Sequence, residues 1–158
     1  MVLSNPTYSD GQARTALEGY KGNQRTIIPV KPNGVQQGTW VYAKNDNYAC
    51  NGYLGNTSVA NGDKCTWKAY LDAGTYSVQV TKANGPSLGI LDIQIDGSSV
   101  ASFDCYAAGA DYLDTDKDTG NVVATSGLKD ISVHVNGKHA SSSGYGVEVS
   151  LIELWRTA

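Results

Sequence analysis

The chain has 158 residues, enough for one domain with a sizeable core, and its 18 glycines, 10 tyrosines and only 17% charged residues suit an all-β protein rich in tight turns. A formal charge of −3 argues against a general nucleic-acid binder, which would need a basic stripe. No apolar run reaches the length of a membrane span, and the start, MVLSNPTYSDGQ, lacks the basic and apolar regions of a secretory signal.

Residues 1–38 show no sustained period. Their charge is +2, from Arg14, Lys21, Arg25 and Lys31 against Asp10 and Glu18, which leaves −5 for the rest. SNPTYSDGQ is turn chemistry, and Pro29 and Pro32 block regular pairing around IIPVKPNGVQQG. This stretch reads as an N-terminal arm or lead-in with an edge strand near Arg25–Val30, preceding a domain over 39–158. Ile27, Ile28 and Val30 are too apolar to be left in water, so they are expected to dock on this subunit or a neighbour; the plain alternative is a flexible tail.

TWVYAKND then predicts a strand with Trp40 and Tyr42 on one face, and NYACNGYLGNTSVANGDK a long loop. CTWKAYL predicts a strand with Trp67, Ala69 and Leu71 in phase. From Ala73 to Asp104 the alternation is clearest. Tyr76, Val78 and Val80 alternate with polar residues, as do Leu91, Ile93 and Ile95, and each run therefore offers one apolar face. Asp96-Gly97 between extended runs predicts a hairpin turn. A second loop is expected over 105–118, then strands at Gly120–Ala124, Leu128–Val135 and Val147–Trp155. In the last run the apolar phase switches, which predicts a bulge or burial on both faces. Strands spaced by about ten residues with turn signals between them point to a β-sandwich or barrel.

Three cysteines, Cys50, Cys65 and Cys105, do not make a disulfide framework. Cys50 and Cys65 flank one loop and are candidates for a bridge, and Cys105 reads as a small buried residue. No Cys/His cluster points to structural zinc. His134 and His139 read as surface histidines, and no nucleophile–base pair or close carboxylate pair points to catalysis.

The strings GTYSVQVTKANG, LGILDIQIDGSSVASFD, GLKDISVHVNG and VEVSLIELW resemble the galactose-binding-like jelly rolls used as carbohydrate-binding modules, the group containing families 6, 35 and 36. The likeness covers about residues 66–156 and implies an antiparallel β-sandwich of jelly-roll type. ANGDKCTWKAYLDAGTYSV and VNGKHASSSGYGVEVSLIELWRT are also similar to small β-sandwich domains of tailed-phage and environmental viral structural proteins. That second resemblance implies a virion protein whose arm holds neighbouring subunits.

Two constellations are candidates for function. Tyr48, Tyr53, Tyr106, Tyr112 and Tyr145 lie in expected loops and offer flat faces on which a sugar ring can stack, with Asn51 and Asp63 among the polar groups able to bond its hydroxyls. In the jelly-roll modules the cleft lies among loops at one rim, which corresponds here to segments 45–63, 105–118 and 138–145. Tyrosine packing at the sandwich edge or a subunit interface would explain the same residues. Asp114, Asp116 and Asp118, following Asp111, place alternate carboxylates where oxygens could converge on calcium; the resemblance implies a structural calcium, whereas a solvated acidic loop with Asx-turns is the plain alternative.

Together these features lead to the expectation of a non-catalytic, surface-displayed structural or adhesion module. It would be a virion decoration, spike or tail component, on a virion surface or extracellular. Its partners would be a cell-surface or polysaccharide glycan at the loop rim, and other copies of itself or a capsid or tail protein through the arm, with neither nucleic acid nor membrane. The rival expectation is a carbohydrate-binding module of a secreted glycoside hydrolase.

Overall fold

Strict alternation of apolar and polar side chains builds the walls of this molecule. The computed structural model describes residues 25–28, 30, 35–38, 40–56 and 60–158. They form β1 (Arg25–Ile28), β2 (Val35–Gln37), β3 (Trp40–Lys44), β4 (Gly52–Asn56), β5 (Lys64–Leu71), β6 (Gly74–Asn84), β7 (Ile90–Ile95), β8 (Ser98–Asp104), β9 (Asp111–Val123), β10 (Gly127–Val135) and β11 (Glu148–Arg156). One sheet runs β3-β4-β11-β6-β9, with β1 also paired to β11, and the other runs β2-β5-β10-β7-β8. Every strand pair is antiparallel. The two sheets form the expected β-sandwich.

The core lies between them. Val78, Val80, Ile152 and Leu154 of the first sheet and Leu91, Ile93, Ile131 and Val133 of the second are fully enclosed. Asp96 (φ 51°) and Gly97 (φ 81°) make the β7–β8 hairpin turn, both in the left-handed region that a two-residue turn requires. The apolar switch in β11 is a bulge, with the register against β6 shifting between Val149 and Leu151. Trp40 and Trp67 are buried, and Trp155 lies half-buried beneath the Arg25 guanidinium, 5.0 Å from its ring centroid.

Arg25–Ile28 forms a strand where the sequence reading expects one, and Ile28 and Val30 are buried, whereas Ile27 is exposed. Three stretches differ from the sequence reading. Val35–Gln37, placed by sequence in the lead-in, adds a strand to the second sheet. Arg25 pairs with the buried carboxylate of Glu153, to which Gln79 also donates at 3.0 Å. The expected 45–63 loop contains β4, and the expected 105–118 loop becomes strand from Asp111 onward. Neither shows a clear apolar period: β4 is five residues long with two glycines, and the edge strand β9 is mostly polar on both sides over its first half. The remainder of the expected arm, residues 1–24, 29 and 31–34, lies outside the described residues.

All three thiols are free. Cys65 and Cys105 are buried, and desolvation pushes their pKa up, to about 11 and about 12. Cys50 is exposed in the turn before β4. A thiol-exchange assay on the native protein should therefore titrate Cys50 rapidly and leave the other two silent until denaturant is added. In urea unfolding, Ile131→Ala on the central strand β10 should cost about 2–5 kcal/mol. Leu128→Ala, three residues earlier but 64% exposed, should stay within about 0.5 kcal/mol of wild type.

Candidate functional site at the crossover rim

Strand registers place one end of the molecule apart from the other. Lys64 faces His134, Leu91 faces Val135 and Ile90 faces Asp104 at that end of the second sheet. Asn84 faces Asp111, and Glu148 faces Gly55, at the same end of the first. The connections β4–β5, β6–β7, β8–β9 and β10–β11 all cross between the sheets here. Polar backbone would be costly in such a junction unless paired, and it is paired. Gly89 N–H donates to Gly146 O (2.6 Å), Ile90 N–H to Gly137 O (3.0 Å), Cys105 N–H to Gly89 O (3.0 Å) and Gly85 N–H to Cys105 O (2.9 Å). A side chain at position 89 would put its Cβ 2.8 Å from Tyr145 O and 2.9 Å from Gly137 O, so only glycine allows this approach. Ser142, buried inside the last crossover, donates to Leu88 O at 2.7 Å and accepts from Gly144 N–H.

This rigid frame presents two aromatic groups. In the first, the rings of Tyr106 and His139 lie parallel, with centroids 4.5 Å apart and planes 5° apart. Asp104 Oδ1 accepts the Tyr106 backbone N–H (2.9 Å), which fixes the start of the crossover. His139 Nδ1 accepts Ser141 N–H (3.1 Å); an accepting Nδ1 leaves the ring proton of the neutral imidazole on Nε2. Tyr145 belongs to the same crossover, with Lys138 Nζ 5.1 Å from its ring centroid while donating to Ser142 O at 3.0 Å.

In the second group, Tyr48 stacks on Tyr53 (4.3 Å between centroids) and meets Tyr112 at 5.1 Å. Tyr53 is on β4 and Tyr112 on β9, and β11 and β6 lie between those strands, so the rings link two strands that are not neighbours in the sheet. Tyr48 is only 4% exposed and its hydroxyl donates to the Glu148 carboxylate. Desolvation, then the bond to Glu148, raises its pKa far above the usual phenol range. Tyr112, 38% exposed, is the member that faces solvent.

The other residues singled out by sequence go elsewhere. Asn51 is exposed in the turn before β4 with φ 55°, bonded through its backbone to Asn45 and Tyr48. Asp63 is buried with its carboxylate packed against Gly38, and its backbone pairs with Val135. Asp114 and Asp116 turn toward a lysine. The fully buried side chain of Lys82 places Nζ 2.7 Å from Asp114 Oδ2, 3.0 Å from Asp116 Oδ2 and 2.6 Å from Asn84 Oδ1. Asp118 sits opposite Val78 and accepts its neighbour's backbone N–H, that of Thr119. As arranged, these three carboxylates do not fit a calcium ion, and among the described residues no group of three or more His, Cys, Asp or Glu side chains is placed to hold a metal.

The Lys82 bond holds the Asp114 carboxyl below the usual carboxylate range. Burial works against the Lys82 charge, but the bonds to Asp114 and Asp116 outweigh it and raise the lysine above its ordinary value. The depressed Asp114 contributes stability above about pH 4, lost as pH falls through its folded pKa; the raised Lys82 contributes below about pH 10, lost only as pH rises through its folded pKa.

Sequence reasoning missed Lys82, Glu148 and His139 as participants. Lys82 carried a signal, being charged in the apolar phase of Val78 and Val80. On the opposite sheet, His134 lies 3.4 Å from the buried Asp92 carboxylate and 3.0 Å from Gln94, while Ser99 gives its hydroxyl proton to Asp92. The serine is bonded to the acid rather than the base, so the trio does not activate a nucleophile in the way a triad does.

No family model matches the sequence, and no curated protein matches it. Solved structures do. A family 35 carbohydrate-binding module from Clostridium thermocellum aligns over 82% of this chain and 97% of its own, with TM-score 0.61 and 18% identity. The carbohydrate-binding module CBM36 in complex with calcium and xylotriose aligns over 82% and 98%, with TM-score 0.56 and 19% identity. Paenibacillus xanthan lyase aligns over 80% of this chain at TM-score 0.62 and 22% identity, and this chain spans 13% of the length of that enzyme. At these identities the likeness establishes the shared jelly-roll fold. The resemblance to viral structural domains has no counterpart among these structures.

Removing the Tyr48 hydroxyl tests the second group. Tyr48→Phe should lower stability by about 1–3 kcal/mol, because the Glu148 carboxylate loses its donor in a partly buried site. Tyr112→Ala should cost less, and paired urea titrations separate the two.

Proposed function

We propose that this chain is a non-catalytic glycan-binding module, and that a saccharide lies across the crossover rim on the Tyr106–His139 pair. The observation that carries the reading is that pair itself: two parallel rings on a tightly bonded backbone frame, at the end where the β4–β5, β6–β7, β8–β9 and β10–β11 crossings meet. Pyranose rings present C–H faces that stack on such surfaces, with hydroxyl groups at the periphery. His139 Nε2–H is a donor at the edge of the platform. Tyr112 provides a second apolar surface near the start of β9, and the interlocked Tyr48–Tyr53 pair holds it.

The fold likeness supports this reading, because structures named as carbohydrate-binding modules align over nearly their whole length. One of those neighbours is in complex with xylotriose, and an exo-β-1,3-galactanase neighbour is in complex with β-1,3-galactotriose. The reading places the chain where polysaccharide is met, outside a cell or on a particle surface, as a binding module attached to or acting beside a glycoside-cleaving enzyme. A virion decoration or tail role, with capsid, tail or self-association through the arm, rests on sequence resemblance alone.

Affinity electrophoresis in soluble xylan, galactan, mannan and xanthan, followed by calorimetry with matching oligosaccharides, tests the proposal. At least one polymer should retard the protein. Tyr106→Ala and His139→Ala should each weaken that binding by about tenfold or more, the loss expected from roughly 1.4 kcal/mol of stacking, with unfolding midpoints little changed. Failure to bind any of these polymers, or binding that survives both substitutions, would overturn it.

A further inference from the structure

The acidic run of β9 reads in sequence as a cation site, and the structure shows a cation already there. Lys82 sits in the inward phase of β6, directly opposite Asp114 in the register, with Asp116 one step along on the same face. Its side chain is 0% exposed, whereas the two carboxylates are 31% and 44% exposed. An ammonium has three N–H donors, and three acceptors surround this one: Asn84 Oδ1, Asp114 Oδ2 and Asp116 Oδ2. Asn84 closes the arrangement by donating its own amide to Asp114 Oδ2 at 2.7 Å. Just beyond lies a register shift between Lys82 and Asn84, where ladder bonding is interrupted and another tie between β6 and β9 is needed.

A calcium ion asks for six to eight oxygens. Admitting one here would mean expelling a buried ammonium from these partners, which leaves an uncompensated charge in the interior. We infer that Lys82 is the resident counter-ion of the acidic strand, a tethered ammonium that fastens β9 to β6 in place of a bound metal, so that this junction folds and holds without divalent cations. The inference stands apart from the glycan reading and does not depend on any ligand.

Thermal unfolding of the full chain tests it. For the wild type, the midpoint should be the same in excess EGTA and in millimolar calcium chloride, since a metal bound only by the native state would raise it. Lys82→Met, which keeps the volume and removes the charge, should lower the midpoint near neutral pH by about ten degrees. Adding Asp114→Asn to that variant should recover part of the loss, because the unpaired carboxylate is then gone. A wild-type midpoint that rises with calcium or falls with EGTA would overturn the inference. So would a Lys82→Met protein as stable as wild type, or a double variant showing simple addition of two losses. If Lys82→Met does not fold, the wild-type metal titration still decides the matter, and Asp116→Asn, with its more exposed carboxylate, supplies the variant.

Discussion

Two sheets can share a core only if each turns an apolar face inward, and everything else in this protein follows from how that face is kept along β6 and β11. These adjacent strands of the first sheet supply Val78, Val80, Ile152 and Leu154 to the interior, against Leu91, Ile93, Ile131 and Val133 of the second sheet. Non-directional burial of this kind sets the stability scale. It also sets the constraint: a polar group on the inward phase must bring its own partners. Lys82 is the case in point, and it meets the requirement through Asn84, Asp114 and Asp116.

The same constraint shapes the rim. Where the connections pass from one sheet to the other, the chain leaves the ladders and its amides need new acceptors. They find them in one another, through Gly85, Gly89, Cys105, Gly137 and Gly146. The crossing loops are therefore held as a framework, and Tyr106 and His139 inherit fixed orientations from it. A preorganised surface loses little entropy when something binds to it, which suits a module that must recognise an extended polymer through a few contacts.

How much of this was legible in the sequence depended on whether a residue's role was set by its neighbours in the chain. The walls were legible: Tyr76, Val78 and Val80, or Ile131, Val133 and Val135, alternate because a strand alternates. The bulge in β11 announced itself as a break in that alternation, and Asp96-Gly97 as a turn. β4 and the first half of β9 were not legible, since β4 sets only Tyr53 and Leu54 between glycines and the edge strand β9 opens with polar residues on both sides, so neither carries periodic contrast. The five loop tyrosines were recognisable as candidate contacts, but their sorting into Tyr106 with His139 and Tyr48 with Tyr53 and Tyr112 depends on strand order. So did the meaning of Asp114 and Asp116: spacing suggested an ion, and only the β6–β9 register identifies it as the ammonium of Lys82.

The central claim is that the crossover rim, rather than a sheet face, is the surface that meets a saccharide. Titrating an isotopically labelled sample with the oligosaccharide of whichever polymer retards it, and following the amide resonances, tests this most directly. The account predicts that the perturbed amides cluster at 104–107, 137–146 and around Tyr112, leaving the outer face of β5 and β10 unchanged. Perturbations centred on that outer face, around Tyr70 and Leu128 or around Asp92 and His134, with a silent rim, would contradict it.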